Sequence, residues 1–313
     1  MKGKLHFLWY KCVLFLMILF YAQTSYCQLT FKYSILEAGL TLAPSNLLGD
    51  LGGNAGKGGA FLKDNNLSNT KLLIGAHLSI FPTEWYAIRL AATYGTIAGD
   101  DALIKGKGGE EESRLARNLN FKSKIYEALV AVEFYPTVFF EYDEITHEHK
   151  IRPYIIAGVG AFHFNPLGHD EVTGEWVNLK QLHTEGQGFS EYPDRKEYKL
   201  NQINIPLGIG IKYFLSETVS VSCEMLLRKT FTDYLDDVST TYIDQNLFYK
   251  HLPLERAKVA ARMYDKSTSA ANRNAGEIRG KSTNMDSYYS AGLKISFQLG
   301  SNDNLKYMRC PKY

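Results

Sequence analysis

Near its C-terminus the chain alternates strictly between apolar and polar side chains. Leu293, Ile295 and Phe297 fall on one face of this segment, while Lys294 and Ser296 fall on the other. Successive side chains of a β-strand point to opposite faces. One face therefore suits lipid and the other suits a polar interior. A chain built on this repeat is expected to form a sheet or barrel that separates two environments.

The same period of two recurs along the chain and predicts eight strands. The repeat is clearest over 201–214, where large apolar residues alternate with asparagine, glycine and lysine. The last strand also resembles the signal that bacterial outer-membrane barrels present to their insertion machinery. The residues that carry this signal are Ser290, Gly292, Ile295 and Phe297. The predicted strands are 33–42, 71–80, 86–96, 121–134, 151–164, 201–214, 219–234 and 287–299.

Residues 1–27 have the pattern of a secretory signal peptide. Three lysines accompany an apolar stretch over 13–20, and Ser25 and Cys27 are small residues that flank a cleavage site before Gln28. A lipoprotein anchored through Cys27 is the alternative. Lipidation needs a small residue directly before the cysteine, where Tyr26 stands. We therefore expect an exported protein whose signal peptide is removed.

Charge and hydropathy exclude several classes of protein. Loss of the three leader lysines takes the formal charge from +2 to −1, which gives no electrostatic case for binding nucleic acid. Cys223 and Cys310 remain in the mature chain and do not form a disulfide framework. No later segment has the length and hydropathy of a transmembrane helix. An integral protein of this kind must be a closed barrel, because the backbone polar groups need partners in lipid.

The connections alternate between short and long. Short turns at 82–85 and 215–218 and an intermediate one at 135–150 contrast with much longer polar stretches. This asymmetry predicts an all-β fold, an eight-stranded antiparallel outer-membrane β-barrel over 28–299, with short periplasmic turns and long outer loops. A soluble ligand-binding barrel, with its apolar faces inside, is the alternative. A periplasmic tail would follow at 300–313. The long stretches are 43–70, 97–120, 165–200 and 235–286.

The predicted polar faces place charged residues inside the barrel. An eight-stranded barrel is just wide enough for its side chains, and buried charges need partners. We expect a structural plug of paired charges, not a transport path. The predicted interior charges are Arg89, Glu127, Glu133, Lys212, Glu224, Arg228 and Lys294.

Aromatic residues cluster at both ends of the predicted strands, as two membrane-interface girdles would. On the turn side these are Phe81, Tyr86, Phe134, Tyr135, Tyr213, Phe214 and Phe297. On the loop side they are Tyr94, Phe162, Phe164, Phe231 and Tyr289.

Few residues carry a pattern of catalysis or metal binding. His147 and His149 flank Glu148 in a charged connection, where a solvated turn is favoured over a metal site because a closed site needs about four ligands. The glycines of 106–109 lack the context of a phosphate loop. Three histidines near the third long loop leave a lipid-modifying enzyme open as an alternative. We predict no cofactor and no enzyme activity. Those histidines are His163, His169 and His183.

The fourth long loop predicts a short helix. Pro253 precedes Leu254–Tyr264, and proline favours the first turn of a helix. Basic residues outnumber acids from here to Lys281. This excess is expected either to meet lipid phosphates or an acidic partner, or to be solvated.

Two polar stretches resemble a known family. One is 184–188 together with Tyr192 to Arg195, and the other is 228–242. With the strand 205–213 they resemble the PorG family of the Bacteroidetes type IX secretion system. The motif residues in the loops are Glu185, Tyr192, Asp194, Arg195, Asp233, Asp236 and Asp237.

The resemblance implies a non-enzymatic outer-membrane barrel in a machine that exports proteins and supports gliding. Members of the family associate with a periplasmic ring of PorK and PorN. We expect contact with this ring through 135–150 and 301–313, which lie on the turn side. The motif loops would fold over the outer mouth, with their aspartates paired with Arg195 or Lys229, or would touch the secretion channel. A general surface barrel for adhesion or envelope integrity is the alternative function.

Overall fold

The computed structural model describes residues 34–52, 66–104, 111–140, 150–267 and 273–299. The predicted signal peptide, the tail 300–313, the glycine stretch 106–109 and the connection that holds His147 and His149 lie outside these residues.

The described chain contains ten strands and three α-helices, together with short 3-10 turns. The helices are α1 (Glu111–Arg117), α2 (Asn246–His251) and α3 (Leu254–Tyr264). The strands are β1 (Ile35–Leu48), β2 (Lys71–Phe81), β3 (Tyr86–Asp100), β4 (Asn120–Phe134), β5 (Ile151–His163), β6 (Pro166–Asp170), β7 (Glu175–Asn178), β8 (Asn201–Phe214), β9 (Val219–Thr230) and β10 (Ser287–Leu299).

Eight of these strands form a closed antiparallel barrel. They pair in the order β1-β2-β3-β4-β5-β8-β9-β10, and β10 pairs with β1 to close the ring. A path along paired residues that leaves β8 at Gln202 returns to β8 at Lys212 after one circuit. The return position is ten residues further along the strand, so the strands are strongly tilted around the barrel. The predicted barrel is confirmed.

Alternation along each strand sets which face lies inside. On β8, Ile203 and Ile209 are 56% and 63% exposed, whereas Lys212 is 1% exposed. The apolar face is therefore outside and the charged face inside. This arrangement contradicts the alternative of a soluble ligand-binding barrel, whose interior would be apolar.

Three strand ends and one loop differ from the prediction by four residues or more. β3 continues beyond residue 96 to Asp100, which pairs with Asn120. β1 continues beyond residue 42 to Leu48 because its last residues pair with β10 as far as Ser287. β9 ends at Thr230, before the predicted residue 234, where the chain turns into the loops. The third long loop holds a hairpin, β6–β7, that pairs with the loop end of β4. Periodicity missed this hairpin because its strands have only five and four residues.

The predicted aromatic girdles are partly wrong. Tyr94, Tyr213 and Phe297 are exposed on the outer face, but several other rings are buried. Phe81 and Phe162 lie on the inward phase of their strands, because an aromatic residue one position further along a strand points to the opposite face. Tyr135 and Phe164 lie just beyond the ends of β4 and β5. The buried aromatic residues are Phe81, Tyr135, Phe162, Phe164 and Tyr289.

The long loops fold over one end of the barrel and form a cap with its own apolar core. We use the name cap for the described parts of 49–70, 101–119, 164–200 and 231–286. The predicted helix is present as α3, and Pro253 directly precedes it. Its buried residues Ala257, Ala260 and Met263 are spaced by three and pack with Phe248 and Tyr264. Burial of this helix face holds α3 against the other elements of the cap.

A second apolar cluster fills the turn end of the barrel interior. Tyr135, Tyr154 and Ile156 pack there with Phe81 and Leu226. The Lys212–Glu37 pair lies beside Phe81 of this cluster, and the other interior charges extend from the cluster toward the cap. Buried side chains therefore occupy the described interior from the turn end to the cap. Within the described ranges, no helix combines the length and hydropathy needed to cross a bilayer.

Candidate functional site

The first charged network of the interior is centred on Arg89. Its guanidinium forms an ion pair with Glu133 and another, of 2.7 Å, with Glu224. Lys294 lies 3.4 Å from Glu133 and 3.8 Å from Glu224. The Tyr154 hydroxyl donates to Glu224 at 2.6 Å. Four charged side chains from four strands therefore form one buried network.

A second network lies nearer the cap. Arg228 Nε lies 3.1 Å from Glu127, which also accepts hydrogen bonds from the side chains of Asn204, Tyr288 and Thr93. Arg228 donates to Ser290 at 2.5 Å as well. Each of these side chains has a partner in the network, which offsets much of the cost of burying the charges.

Lys212 pairs with a residue that the sequence analysis did not single out. Its ammonium group lies 2.6 Å from Glu37 on β1. The described interior therefore holds four acids and four bases, because Glu37 joins Glu127, Glu133 and Glu224. Alternation along β1 would have placed Glu37 inside. The alternation of apolar and polar residues is weaker on β1 than on the other strands, so Glu37 was missed.

Glu185 is the centre of the cap. Its carboxylate accepts hydrogen bonds from the amides of Ser239 and Thr240, each at 2.9 Å, and from Arg279 at 2.9 Å. Arg279 also donates to the carbonyl of Asp237 at 2.6 Å. One fully buried carboxylate thus joins the third loop to two separate parts of the fourth loop.

The rest of the third-loop motif stiffens this junction. Arg195 donates to the carbonyls of Glu185 and Thr241 at 2.8 and 2.9 Å, and it stacks 4.3 Å from the Tyr192 ring. Gly186 has a φ of +72°, a conformation that favours glycine. Asp194 is exposed at the surface of the cap.

Asp236 of the fourth-loop motif and Asp286 at the end of the fourth loop are carboxyl groups that are buried close to one another. Asp236 accepts hydrogen bonds from the backbone amides of Leu51 and Val238 at 3.0 Å each, and Asp286 accepts from that of Leu235 at 2.9 Å. Burial raises the pKa of both carboxyl groups well above the usual range, and the mutual repulsion of acidic groups in this cluster adds to the effect.

Asp233 and Asp237 are also buried in the cap. Burial raises the pKa of Asp233 to about 7, although the Ser239 hydroxyl donates to it at 2.7 Å. Burial likewise raises the pKa of Asp237 to about 6, against the attraction of Arg279. Asp237 accepts from the Tyr198 hydroxyl at 2.7 Å.

The expected pairing of the motif aspartates was wrong. The carboxyl groups of Asp233, Asp236 and Asp237 accept hydrogen bonds from hydroxyl and amide groups. Arg195 instead contacts carbonyl oxygens and the Thr241 hydroxyl. Lys229 directly follows Arg228, whose side chain faces the interior. The Lys229 side chain therefore lies on the outer face of the barrel, away from the motif aspartates. The cation that binds the motif is Arg279, which lies outside both motif stretches.

The residues of the expected insertion signal lie on both faces of β10. Ser290 is buried in the interior, and Ile295 and Phe297 are 37% and 46% exposed outside. Gly292 lies where β10 and β1 approach closely, because a Cβ atom there would be 2.3 Å from the carbonyl oxygen of Leu42. The role of these residues as a signal stays a prediction.

The three loop histidines occupy separate surroundings. His163 lies 2.7 Å from the Asn201 side chain, His183 lies 2.6 Å from the carbonyl of Gln187, and the His169 ring contacts Trp176. In the part of the chain that is described, no group of three metal-ligating side chains is placed to hold an ion.

Several solved structures are similar to this chain. Neisserial surface protein A is 7% identical, with a TM-score of 0.35, and the match covers 85% of this chain and 97% of that protein. The outer membrane protein OprG from Pseudomonas aeruginosa is 12% identical, with a TM-score of 0.35 and coverage of 86% and 96%. A major outer membrane protein from Thermus thermophilus is 11% identical, with a TM-score of 0.36 and coverage of 85% and 99%.

No curated protein matches the sequence. The family described as DUF6089, a domain of unknown function, matches residues 11–252. This match takes in the strands β1–β9, the third-loop motif and the fourth-loop motif. The chain therefore belongs to the DUF6089 family.

Proposed function

We propose that this protein is a non-enzymatic outer-membrane barrel that anchors the type IX secretion machinery. In this role the signal peptide is cleaved, the cap faces outward and the short turns face the periplasm. The filled interior carries the proposal. Balanced ion pairs and two apolar clusters occupy the barrel from turns to cap. A solid barrel favours a structural role over a transport role.

The motif residues that resemble PorG support the same role. Glu185 and Asp237 are buried and hold the third and fourth loops together through Arg279. The resemblance therefore falls on residues that give the cap its shape. A rigid cap is suited to contact another protein with little loss of conformational entropy.

The turn side offers a surface for the periplasmic ring of PorK-like and PorN-like proteins. Residues Pro136–Phe140 form a 3-10 turn, on which Phe139 and Phe140 are 63% and 83% exposed. Phe139 packs against Trp85, with ring centroids 6.0 Å apart. Exposed aromatic residues on a fixed support are typical of the centres of protein interfaces.

A deletion strain tests the proposed function. We expect loss of type IX secretion when the protein is absent, and recovery when the full-length chain is restored. A chain that carries Phe139→Ser and Phe140→Ser should reach the outer membrane and fail to restore secretion, because it loses the turn-side aromatic contact. The matched control is Leu215→Ser, on another turn of the same side, which should restore it.

The alternatives give different results in the same strains. Normal secretion with altered adhesion or envelope integrity would favour a general surface barrel. Changed lipid A chemistry, abolished by substitution of a rim histidine such as His163, would favour a lipid-modifying enzyme. Either result would overturn the anchoring role.

A further inference from the structure

A shallow, mainly apolar groove follows one level of the barrel wall, and its lining residues come from all eight barrel strands. Its floor includes alanines at paired positions on four neighbouring strands. Ala76 pairs with Ala92, Ala92 with Ala128, and Ala128 with Ala161. The outward positions next to this row toward the turns include Leu90. Small side chains between rows of larger ones leave an indentation in the apolar wall.

Aromatic residues form the wall of the groove on the cap side. The Tyr94 and Tyr126 rings have centroids 5.0 Å apart, and those of Tyr126 and His163 are 6.3 Å apart. Tyr94 and Tyr126 are 40% and 50% exposed. Rings with one polar edge are typical of the boundary between hydrocarbon and head groups.

Two lysines follow on the same face of β4, directly beyond this wall. Lys124 is two residues from Tyr126, and Lys122 is two residues further toward the cap. The Lys122 ammonium lies 3.7 Å from the centre of the Trp176 ring, which holds the lysine on the outer surface. Along the described β4, none of the outward-facing side chains is acidic. The surface therefore changes from apolar to aromatic to cationic over one strand.

We propose that this surface binds a phosphorylated glycolipid of the lipid A type. Its phosphate would lie between Lys122 and Lys124, and an acyl chain would lie along the alanine row. The orientation rests on the proposed function, in which the cap end of β4 meets the outer leaflet. The charge gradient selects an anionic lipid, because lysines near a membrane surface attract phosphate groups. The groove adds contacts that a smooth barrel wall lacks.

Titration of the purified full-length protein with lipid A in a neutral detergent tests this proposal by native mass spectrometry. We expect Lys122→Gln with Lys124→Gln to raise the dissociation constant about thirtyfold, because each lysine near a phosphate contributes on the order of 1 kcal/mol. The matched control is Lys229→Gln, an exposed residue at the cap end of β9, which should change it less than about twofold.

Larger side chains in the groove test the acyl-chain contact independently of the lysines. Ala92→Leu with Ala128→Leu should weaken lipid A binding on the order of tenfold by removing acyl contacts. Ala157→Leu is the control, because Ala157 is an outward residue outside the groove. Phosphatidylcholine serves as the neutral lipid and should bind all variants equally weakly. Heat-dependent migration on gels confirms that each variant is folded.

Two results would overturn the proposal. One is equal binding of lipid A and phosphatidylcholine. The other is lipid A binding that the lysine pair and the control lysine affect alike. Either result, in protein recovered from the outer membrane, leaves the anchoring role intact. Absence of the protein from the outer membrane would instead remove the orientation on which both proposals depend.

Discussion

Replacement of Glu133 by glutamine is expected to destabilise the folded barrel by about 3–5 kcal/mol. Glu133 pairs with both Arg89 and Lys294, and it is 1% exposed. The substitution leaves two buried cations with Glu224 as their remaining acid in this network. An uncompensated buried charge costs far more than the loss of a surface ion pair. Urea unfolding of the protein in lipid vesicles measures the change in free energy.

A second substitution distinguishes charge imbalance from lost packing. Lys294→Met added to Glu133→Gln restores neutrality and should recover at least half of the lost stability, since one acid then faces one base. The surface control is Glu255→Gln, where the glutamate is 83% exposed and the expected change is under about 0.5 kcal/mol. Additive losses in the double variant would show that the interior network does not act through charge balance.

The cap is expected to lose about 2–4 kcal/mol of stability between pH 5 and pH 8. The pKa of Asp237 is about 6 and that of Asp233 is about 7 in the fold, both above their usual values. A raised pKa means that the fold favours the protonated carboxyl. The stability that the two protonated carboxyl groups contribute is fully present below about pH 4. It is lost as the pH rises through the pKa values of about 6 and about 7. Hydrogen exchange of the amides of Ser239 and Thr240 reports cap opening.

Neutral replacements test the origin of this pH dependence. Asp233→Asn with Asp237→Asn should flatten the pH dependence of cap stability over the same range, because the two titrating groups are gone. Asp194→Asn is the control, since Asp194 is exposed in the cap. It should keep the pH dependence of the original protein. A double variant that retains the full dependence would show that other groups, such as Asp236 and Asp286, dominate.

The barrel follows from sequence because its signal is local and repeated. Alternation along one strand determines which side chains face inward, and Lys212 and Lys294 are assigned from their immediate neighbours. β1 shows the limit of this reasoning. Its glycine, threonine and proline residues weaken the pattern, so the inward position of Glu37 was missed and the charges were unbalanced by one.

The cap does not follow from sequence because its contacts join distant residues. Leu51 and Asp236 are 185 residues apart, and Arg279 and Glu185 are 94 apart. No periodicity brings such pairs together. The motif aspartates were therefore assigned to cations, although their carboxyl groups accept hydrogen bonds from hydroxyl and amide groups. The helix α3 was predicted because proline and helical spacing are local signals. The aromatic girdles were wrong at Phe81 and Phe162 because a shift of one residue reverses the face.

Affinity purification of the tagged protein from detergent-solubilised outer membranes, followed by mass spectrometry, tests the anchoring role most directly. At endogenous expression we expect recovery of the PorK-like and PorN-like ring proteins. A chain shortened at residue 300, which lacks the predicted periplasmic tail, should recover less of both. A clean preparation of the intact barrel without either ring protein would contradict the proposed place of this protein in the secretion machinery.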